Sequence, residues 1–272
     1  MRIRTAAYSE IGLRDTQQDR YCFFEVNGKT VILVHDGNGG EGGDKIAEAA
    51  LMPVSSILSY QLSQGKSKEF MTDEQLRELG INAINNAASH VMDLKESHED
   101  WIEAGTTVTL VIITQNKIAC FWVGDSCCYV FQDDDFIKLT SPVHTLAEDL
   151  IKKGESRNII NKQPSLNSIL TKCVGHQSCV PDSKIIEITK PCIVLAGSDG
   201  VFGFLPEEKL KEIIKAKFAV NSDLQELADE IVKLSLENGS DDNVTAVLSV
   251  INPSQKHQKK SKRLTKLQEW NL

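Results

Sequence analysis

Short apolar segments rich in β-branched and aromatic residues recur along this sequence and come in consecutive groups. Two of them, YCFFEV and KTVILVHD, flank Asn27-Gly28, a dipeptide that favours a type I′ hairpin turn because both turn residues need positive φ. Segments of the same character predict further strands: Ile3 to Ser9, Thr106 to Thr114, Lys117 to Val123, Cys128 to Phe131, Lys184 to Ile188, Cys192 to Ala196 and Val244 to Ile251.

Helices are predicted between these groups of strands. Thr72 and Gln75 form a capping-box pattern ahead of a segment whose apolar residues have helical spacing. Ser222 and Gln225 repeat the pattern ahead of a second such segment, and Gly239 marks its end. Each pattern therefore predicts where a helix begins.

Each of these helices has a predicted neighbour. One begins near Pro206, since proline fits the first turn of a helix. Another runs from Asp44 to about Tyr60, where Pro53 predicts a bend or a break. Grouped strands and paired helices differ from regular βαβ alternation. The sequence therefore predicts an α+β fold, with antiparallel sheets and helices packed outside them.

Charge and hydropathy exclude some classes of function. The 272 residues carry a net charge of −8, and residues 255–272 hold six Lys/Arg and one Glu, so the rest of the chain carries −13. An acidic body argues against nucleic-acid binding. No apolar stretch approaches the roughly 20 residues that span a bilayer, and the N-terminal residues lack the apolar segment of a secretory signal. The basic tail is either solvated or a contact for an acidic partner or anionic lipid.

Cysteine usage indicates the compartment. The chain has an odd number of cysteines within apolar runs, which favours free thiols and a cytoplasmic location: Cys22, Cys120, Cys127, Cys128, Cys173, Cys179 and Cys192. Cys173, His176 and Cys179 have spacing that resembles part of a zinc site. A fourth ligand is missing from the pattern, so buried thiols are the favoured interpretation.

Four aspartates lie at the ends of apolar strands, each beside glycine or a small polar residue. They are Asp36 in VILVHDGNGG, Asp125 in FWVGDSCC, Asp199 in IVLAGSDG and Asp242 in GSDDNVTAV. If these strand ends converge, the carboxylates repel one another by several kcal/mol unless a cation lies between them. Oxygen ligands favour hard ions such as Mg²⁺ or Mn²⁺. The pattern therefore predicts a divalent-cation site.

Seven motifs in order strengthen this interpretation. They are RDTQQDR, HDGNGG, AGTTVTLVII, VGDSCCYVF, HTLAEDLIKKGE, LAGSDGVFGFL and SDDNVTAVL, which begin at residues 14, 35, 104, 123, 144, 195 and 240. Their order and spacing resemble the metal-dependent Ser/Thr protein phosphatases of type 2C, the PPM family, in its bacterial form. The resemblance extends over residues 2–251.

The resemblance implies a fold and an activity. The expected fold is a four-layer α-β-β-α sandwich of two central antiparallel sheets flanked by helix pairs. Residues 1–252 would form the catalytic domain and residues 253–272 a basic C-terminal tail. The activity would be hydrolysis of phosphoserine and phosphothreonine in proteins, by a water that bridges two Mn²⁺ or Mg²⁺ ions. A weaker third ion is expected in some members.

The resemblance also assigns metal ligands. Asp36 would bridge the two ions, and the carbonyl of Gly37 would bind one of them. Asp199 and Asp242 would complete the ligands of the other ion. Asp125 would hold the third ion together with Asp199.

Other residues would serve water and substrate. Gln18 and Asp19 would hold metal-bound waters, and Arg14 would bind the substrate phosphate. The catalytic residues would be Arg14, Asp19 and Asp36. The expected protein is a monomer that acts on phosphorylated proteins, with a Ser/Thr kinase or its targets as partners.

Some positions depart from the family pattern. Asn38 stands where eukaryotic members have a histidine that serves as a proposed general acid, and an amide cannot supply that proton. Gln17, Cys127 and Val143 replace a frequent Asn, Arg and Asp. The alternative function is a catalytically weak module that binds a phosphoprotein or a regulatory partner, and the presence of Arg14 and all four aspartates argues against it. His35, beside Asp36, is either an acid or a packed residue, and alternation along the strand favours packing.

Overall fold

The computed structural model describes residues 1–64, 70–133, 135–177, 179–219 and 223–253. The strands are β1 Arg2–Glu10, β2 Arg20–Val26, β3 Lys29–His35, β4 Gly37–Asn38, β5 Gly105–Thr106, β6 Val108–Ile113, β7 Lys117–Val123, β8 Cys127–Gln132, β9 Asp135–Lys138, β10 Asp182–Glu187, β11 Cys192–Gly197 and β12 Val244–Asn252. The α-helices are α1 Gly43–Gln64, α2 Asp73–Lys95, α3 Leu146–Lys152, α4 Arg157–Ile160, α5 Asp199–Phe202, α6 Glu207–Ala219 and α7 Leu224–Glu237. Two 3₁₀ turns cover Glu99–Trp101 and Pro164–Asn167.

The strands form two antiparallel sheets. One has the order β1-β12-β11-β8-β9 and the other β10-β7-β6-β3-β2. A short ladder joins β4 to β5, with Gly37 opposite Thr106. Asn27 and Gly28 have φ of 49° and 68°, which confirms the predicted hairpin between β2 and β3.

Three apolar clusters hold the layers together. Ile32 and Val34 of β3 belong to the cluster between the sheets, whereas Val31 and Leu33 face α1 and α2. The sheet β1-β12-β11-β8-β9 buries its outer face against α6 and α7, in the cluster that contains Leu248 and Ile231. Because side chains alternate along each strand, one set of residues packs between the sheets and the other set packs against the helices. The predicted α+β class and four-layer sandwich are confirmed.

Helix α1 differs from the prediction at Pro53. The helix extends from Gly43 to Gln64 and continues through the proline. Its buried side includes Val54 and Leu58 on the sheet. This burial offsets the hydrogen bond that proline cannot donate. The predicted break at Pro53 is therefore wrong.

Other boundaries shift by a few residues. Thr72 caps α2 with the reciprocal contacts of a capping box, as predicted. Ser222 lies outside the described residues, and the Asp223 carboxylate caps α7 by accepting from the Gln225 N–H. The predicted strand Thr106 to Thr114 is divided at Thr107, because the residues before it pair with β4 and those after it pair with β3 and β7.

Within the described part of the chain, no helix has the length and apolar character needed to cross a membrane.

Candidate active site

The topology brings the four strand-end aspartates to one edge of the sandwich. Strands β3 and β7 both pair antiparallel with β6, so both end at the same edge, where Asp36 and Asp125 follow them. In the other sheet, β11 and β12 are antiparallel neighbours. Asp199 lies just beyond the end of β11, and Asp242 lies just before the start of β12.

Three of these carboxylates converge. Asp36, Asp125 and Asp199 each offer an oxygen, and these oxygens lie within 4.8 Å of one another. Burial raises the pKa of Asp125 to about 8, and the nearby charge of Asp199 adds to the shift. Burial and the same neighbour raise the pKa of Asp36 well above its usual range. Burial and mutual repulsion make the negative charges of these carboxylates unfavourable, and a hard divalent cation would replace the protons and neutralise the charges.

Asp242 lies beside these three carboxylates, but its own carboxylate is paired with Arg14. Its Oδ2 is 2.8 Å from Nη2 of Arg14, and its Oδ1 accepts the N–H of Asn243 at 2.8 Å. Arg14 also donates through Nε to the carbonyl of Asp241 at 3.2 Å. The negative charge of Asp242, after burial, raises the pKa of Asp199. Asp242 is thus near enough to act electrostatically on the group, while its carboxylate is held by Arg14.

Asp19 is buried and held from one side. Its Oδ2 accepts hydrogen bonds from Ser198 Oγ at 2.7 Å and Thr245 Oγ1 at 2.6 Å. Its Oδ1 has no hydrogen-bond partner among the described residues. Burial raises the pKa of Asp19 to about 7, and the two hydroxyl donors oppose that rise. A buried acceptor left open beside an acidic cluster is chemically suited to a water.

The glycine-rich loop after Asp36 is tightly enclosed. A Cβ built on Gly37 would lie 2.4 Å from the carbonyl oxygen of Gly43, so no larger residue fits without a backbone shift. Gln18 crosses this loop and donates through Nε2 to the Gly40 carbonyl at 2.8 Å. The Gly37 N–H donates to the Gln18 carbonyl at 3.3 Å. Gln18 and Gly37 therefore lie together next to Asp36.

Neither histidine next to the site is arranged as a proton donor. His35 is fully buried, and burial lowers its pKa to about 3. This agrees with the packed interpretation. His144 Nδ1 accepts the Gly124 N–H at 3.0 Å, so the ring proton is on Nε2, which lies 2.8 Å from Asp182 Oδ2. The side-chain Nδ2 of Asn38 is buried without a partner among the described residues.

One supporting residue, Asn243, was not predicted from the sequence. Asn243 Oδ1 accepts the Gln18 N–H at 2.7 Å, and its Nδ2 donates to the Ile11 and Thr16 carbonyls at 2.8 and 3.2 Å. These contacts hold the loop that carries Arg14. The position of Asn243, directly after a strand-end aspartate, was a usable signal, because Asn favours side-chain contacts with nearby backbone.

The alternative zinc site is not assembled. Cys173, His176 and Cys179 do not form a group of converging metal-ligating atoms within the described residues. All seven cysteines are free thiols. Burial raises the pKa of Cys173 and of Cys179 to about 11, which keeps both thiols protonated. Buried thiols are therefore the better interpretation.

Comparison with known proteins finds similarity along most of this chain. The protein phosphatase 2C family model matches residues 8–249. The serine/threonine phosphatase stp of Listeria innocua is 28% identical over 251 residues, which covers 90% of this chain and 94% of that protein. A putative protein phosphatase of Mycoplasma pneumoniae is 27% identical over 252 residues, covering 90% and 93%.

Solved structures show the same fold. The serine/threonine phosphatase of S. agalactiae has a TM-score of 0.81 at 22% identity, and the match covers 92% of this chain and all of that chain. The catalytic domain of the phosphatase PstP, in complex with two manganese ions, has a TM-score of 0.74 at 21% identity, covering 92% and 99%.

Proposed function

The chain belongs to the protein phosphatase 2C family, and from this premise we propose the roles of its individual residues in metal-dependent hydrolysis of phosphoserine and phosphothreonine. The protein is a serine/threonine protein phosphatase that acts on phosphoproteins. One observation carries the assignment of its site: the oxygens of Asp36, Asp125 and Asp199 converge within 4.8 Å. We propose that two divalent cations bind at these carboxylates, at Asp242 and at the Gly37 carbonyl.

When bound by these residues, the cations would supply Lewis acidity and would lower the pKa of a water at the site. Asp19 is suited to orient such a water, because Ser198 and Thr245 fix one carboxylate oxygen and leave Oδ1 open as an acceptor. Gln18 has an anchored side chain beside the Asp36 loop and serves the same purpose. Rigid anchoring of these groups reduces the reorganisation needed during the reaction.

Arg14 binds the substrate phosphate in this proposal. Its side chain is half exposed at the site, so a phosphate on a protein surface can reach it. Two of its five N–H donors contact Asp241 and Asp242, and a guanidinium binds phosphate oxygens through paired donors. The remaining donors suit this contact.

The leaving alkoxide is protonated without a dedicated histidine. Asn38 offers an amide, His35 is buried with a lowered pKa, and the protonated Nε2 of His144 is engaged by Asp182. A water ordered at the site is the proposed proton donor. The same geometry disfavours the binding-module alternative, since the acidic residues needed for catalysis are assembled.

The identity and number of the ions, the partners, the compartment and the oligomeric state belong to the same proposal. We propose Mn²⁺ or Mg²⁺ as the ion, with a weaker third ion at Asp125 and Asp199, and a Ser/Thr kinase or its targets as partners. The free thiols support the reducing cytoplasm as the compartment. The monomeric state is proposed as well.

A substitution tests the assignment of the site. Asp199→Asn should abolish release of phosphate from a phosphothreonine peptide in Mn²⁺, because an amide is a weaker metal ligand than a carboxylate. Asp229→Asn, at a partly exposed position of α7 where the oxygen that accepts from Gln225 is kept, is the matched control and should leave turnover unchanged. An active Asp199→Asn enzyme with the stability of the parent would contradict the assignment.

A further inference from the structure

Thr107 lies between two of the converging aspartates. Strand β6 lies between β3 and β7 in the sheet, and Thr107 directly precedes it. Because β6 is antiparallel to both neighbours, its first residue lies at the edge where they end. Thr107 is therefore placed between Asp36 and the turn at Gly124–Ser126.

The Thr107 hydroxyl contacts both sides. Its Oγ1 accepts the backbone N–H of Asp36 at 3.0 Å and lies 2.7 Å from Ser126 Oγ. The backbone N–H of Thr107 donates to the Asp36 carbonyl at 2.8 Å. The Ser126 carbonyl also accepts from Thr109 Oγ1 at 3.0 Å. A continuous chain of hydrogen bonds thus joins the backbone of Asp36 to the residue after Asp125.

The neighbourhood leaves this hydroxyl little freedom. Thr107 and Ser126 each have about 1% of their surface exposed. The methyl group of Thr107 fills the space beside Gly124, where a Cβ would lie 2.6 Å from Cγ2. Gly124 has φ of +102°, which glycine adopts readily. The side chain is therefore fixed by packing on one side and by hydrogen bonds on the other.

We propose that Thr107 is a positioning residue that sets the separation of the Asp36 and Asp125 carboxylates and thereby tunes their affinity for a divalent cation. Thr107 itself contributes no ligand. It acts through the backbone of Asp36 and through Ser126. The inference rests on the proposed metal site. Groups that orient metal ligands commonly change affinity by roughly 10–100-fold when removed.

The test measures Mn²⁺ binding to the metal-stripped protein by calorimetric titration, without substrate. Thr107→Val keeps the shape and removes the hydroxyl, so binding should weaken by roughly 10–100-fold. Thr107→Ser restores the hydroxyl and should return binding to within about threefold of the parent, a threshold well below the effect expected for an orienting group. Ser126→Ala should weaken binding less than Thr107→Val, because it leaves the contact with the Asp36 N–H.

The double variant gives a second readout. Thr107→Val with Ser126→Ala should bind Mn²⁺ no more weakly than Thr107→Val alone, since both changes remove one shared hydrogen bond. Thr5→Val is the matched control, because Thr5 Oγ1 lies 2.6 Å from Ser249 Oγ in another Thr–Ser pair, between β1 and β12. This control should leave Mn²⁺ binding unchanged.

Several outcomes would overturn the inference. Parent-like binding by Thr107→Val would do so, as would equal losses in Thr107→Val and Thr107→Ser, or additive losses in the double variant. If Thr107→Val does not fold, Ser126→Ala and Thr107→Ser decide the question: parent-like binding by Ser126→Ala together with weakened binding by Thr107→Ser overturns it. Absence of Mn²⁺ binding in the parent would instead contradict the proposed metal site.

Discussion

The guanidinium of Arg14 lies 2.8 Å from the carboxylate of Asp242, although 228 positions separate the two residues in sequence. This contact places the proposed phosphate-binding group directly against one of the proposed metal ligands. A cation at Asp242 and the guanidinium would compete for the same oxygen.

Replacement of Arg14 should affect substrate binding much more than stability. Loss of charge-assisted hydrogen bonds costs about 1.5–3 kcal/mol, so Arg14→Ala should raise KM for a phosphopeptide by about tenfold or more. The exposed ion pair itself contributes only about 0–1 kcal/mol to stability. Steady-state kinetics and thermal unfolding measure the two effects.

Lys217→Ala removes a comparable exposed pair with Glu230, at 3.0 Å. It is the control for a general effect of charge removal, and it should leave KM unchanged. A large fall in melting temperature for Arg14→Ala with unchanged KM in the folded fraction would make Arg14 a structural residue.

Asn243 should be important for both stability and turnover. Its side chain makes three hydrogen bonds to the loop of residues 11–18. Buried groups left without partners cost about 1–3 kcal/mol each, so Asn243→Ala should lower the free energy of unfolding by at least about 2 kcal/mol and reduce kcat. Denaturant unfolding and kinetics provide the measurement.

A surface asparagine gives the comparison for that result. Asn86 Nδ2 donates to the Asn82 carbonyl on the exposed side of α2. Asn86→Ala should therefore change stability by less than about 0.5 kcal/mol, as is usual for surface substitutions. Equal effects of the two substitutions would show that Asn243 does not hold the loop.

Some elements of this arrangement could be predicted from the sequence, and others could not. The hairpin at Asn27-Gly28 and the capping box at Thr72 follow from local conformational preferences, and both are present. Strand-end aspartates are also visible as a pattern. Their convergence requires the order of strands in both sheets, which depends on packing between distant segments.

Other features depend on tertiary contacts and have no local signal. A run of β-branched residues gives no indication that the ladder changes partners at Thr107. Pro53 predicts a bend or a break, yet the helix continues through it, with buried residues on its sheet side. The pairing of Arg14 with Asp242 likewise arises only when the first loop reaches the start of β12.

Stability should depend on pH through His144. Burial lowers the pKa of His144, and Asp182 opposes the shift. Because the unfolded histidine binds a proton below about pH 6.5 and the folded one resists it, the unfolded state takes up more protons. The free energy of unfolding should therefore fall as pH decreases through about 6.5, by at most about 1.36 kcal/mol per pH unit for this group.

His144→Gln should reduce that slope in urea unfolding measured between pH 5 and 8, and the buried His35, whose pKa is also lowered, should account for part of what remains. His90, an exposed residue on α2, provides the control, and His90→Gln should leave the slope as in the parent. A slope unaffected by His144→Gln would mean that other groups account for the pH dependence.

Asn38 offers a test of how the leaving group is protonated. General acid catalysis contributes about 10²–10⁴-fold when the leaving group is poor. Nitrophenolate leaves readily, so Asn38→His should barely change hydrolysis of nitrophenyl phosphate, while it should accelerate hydrolysis of a phosphoserine peptide. A limb near pH 6.5 in the parent kcat profile, removed by changing His35 or His144, would contradict the absence of a histidine acid.

The most direct test of the central claim is release of phosphate from a phosphothreonine peptide by the metal-stripped protein as Mn²⁺ is added back. The converging carboxylates of Asp36, Asp125 and Asp199 predict no turnover after chelation and full recovery with Mn²⁺. Mg²⁺ should also restore turnover if both ions fit the oxygen ligands. Full turnover by protein from which metal has been verifiably removed would contradict the account.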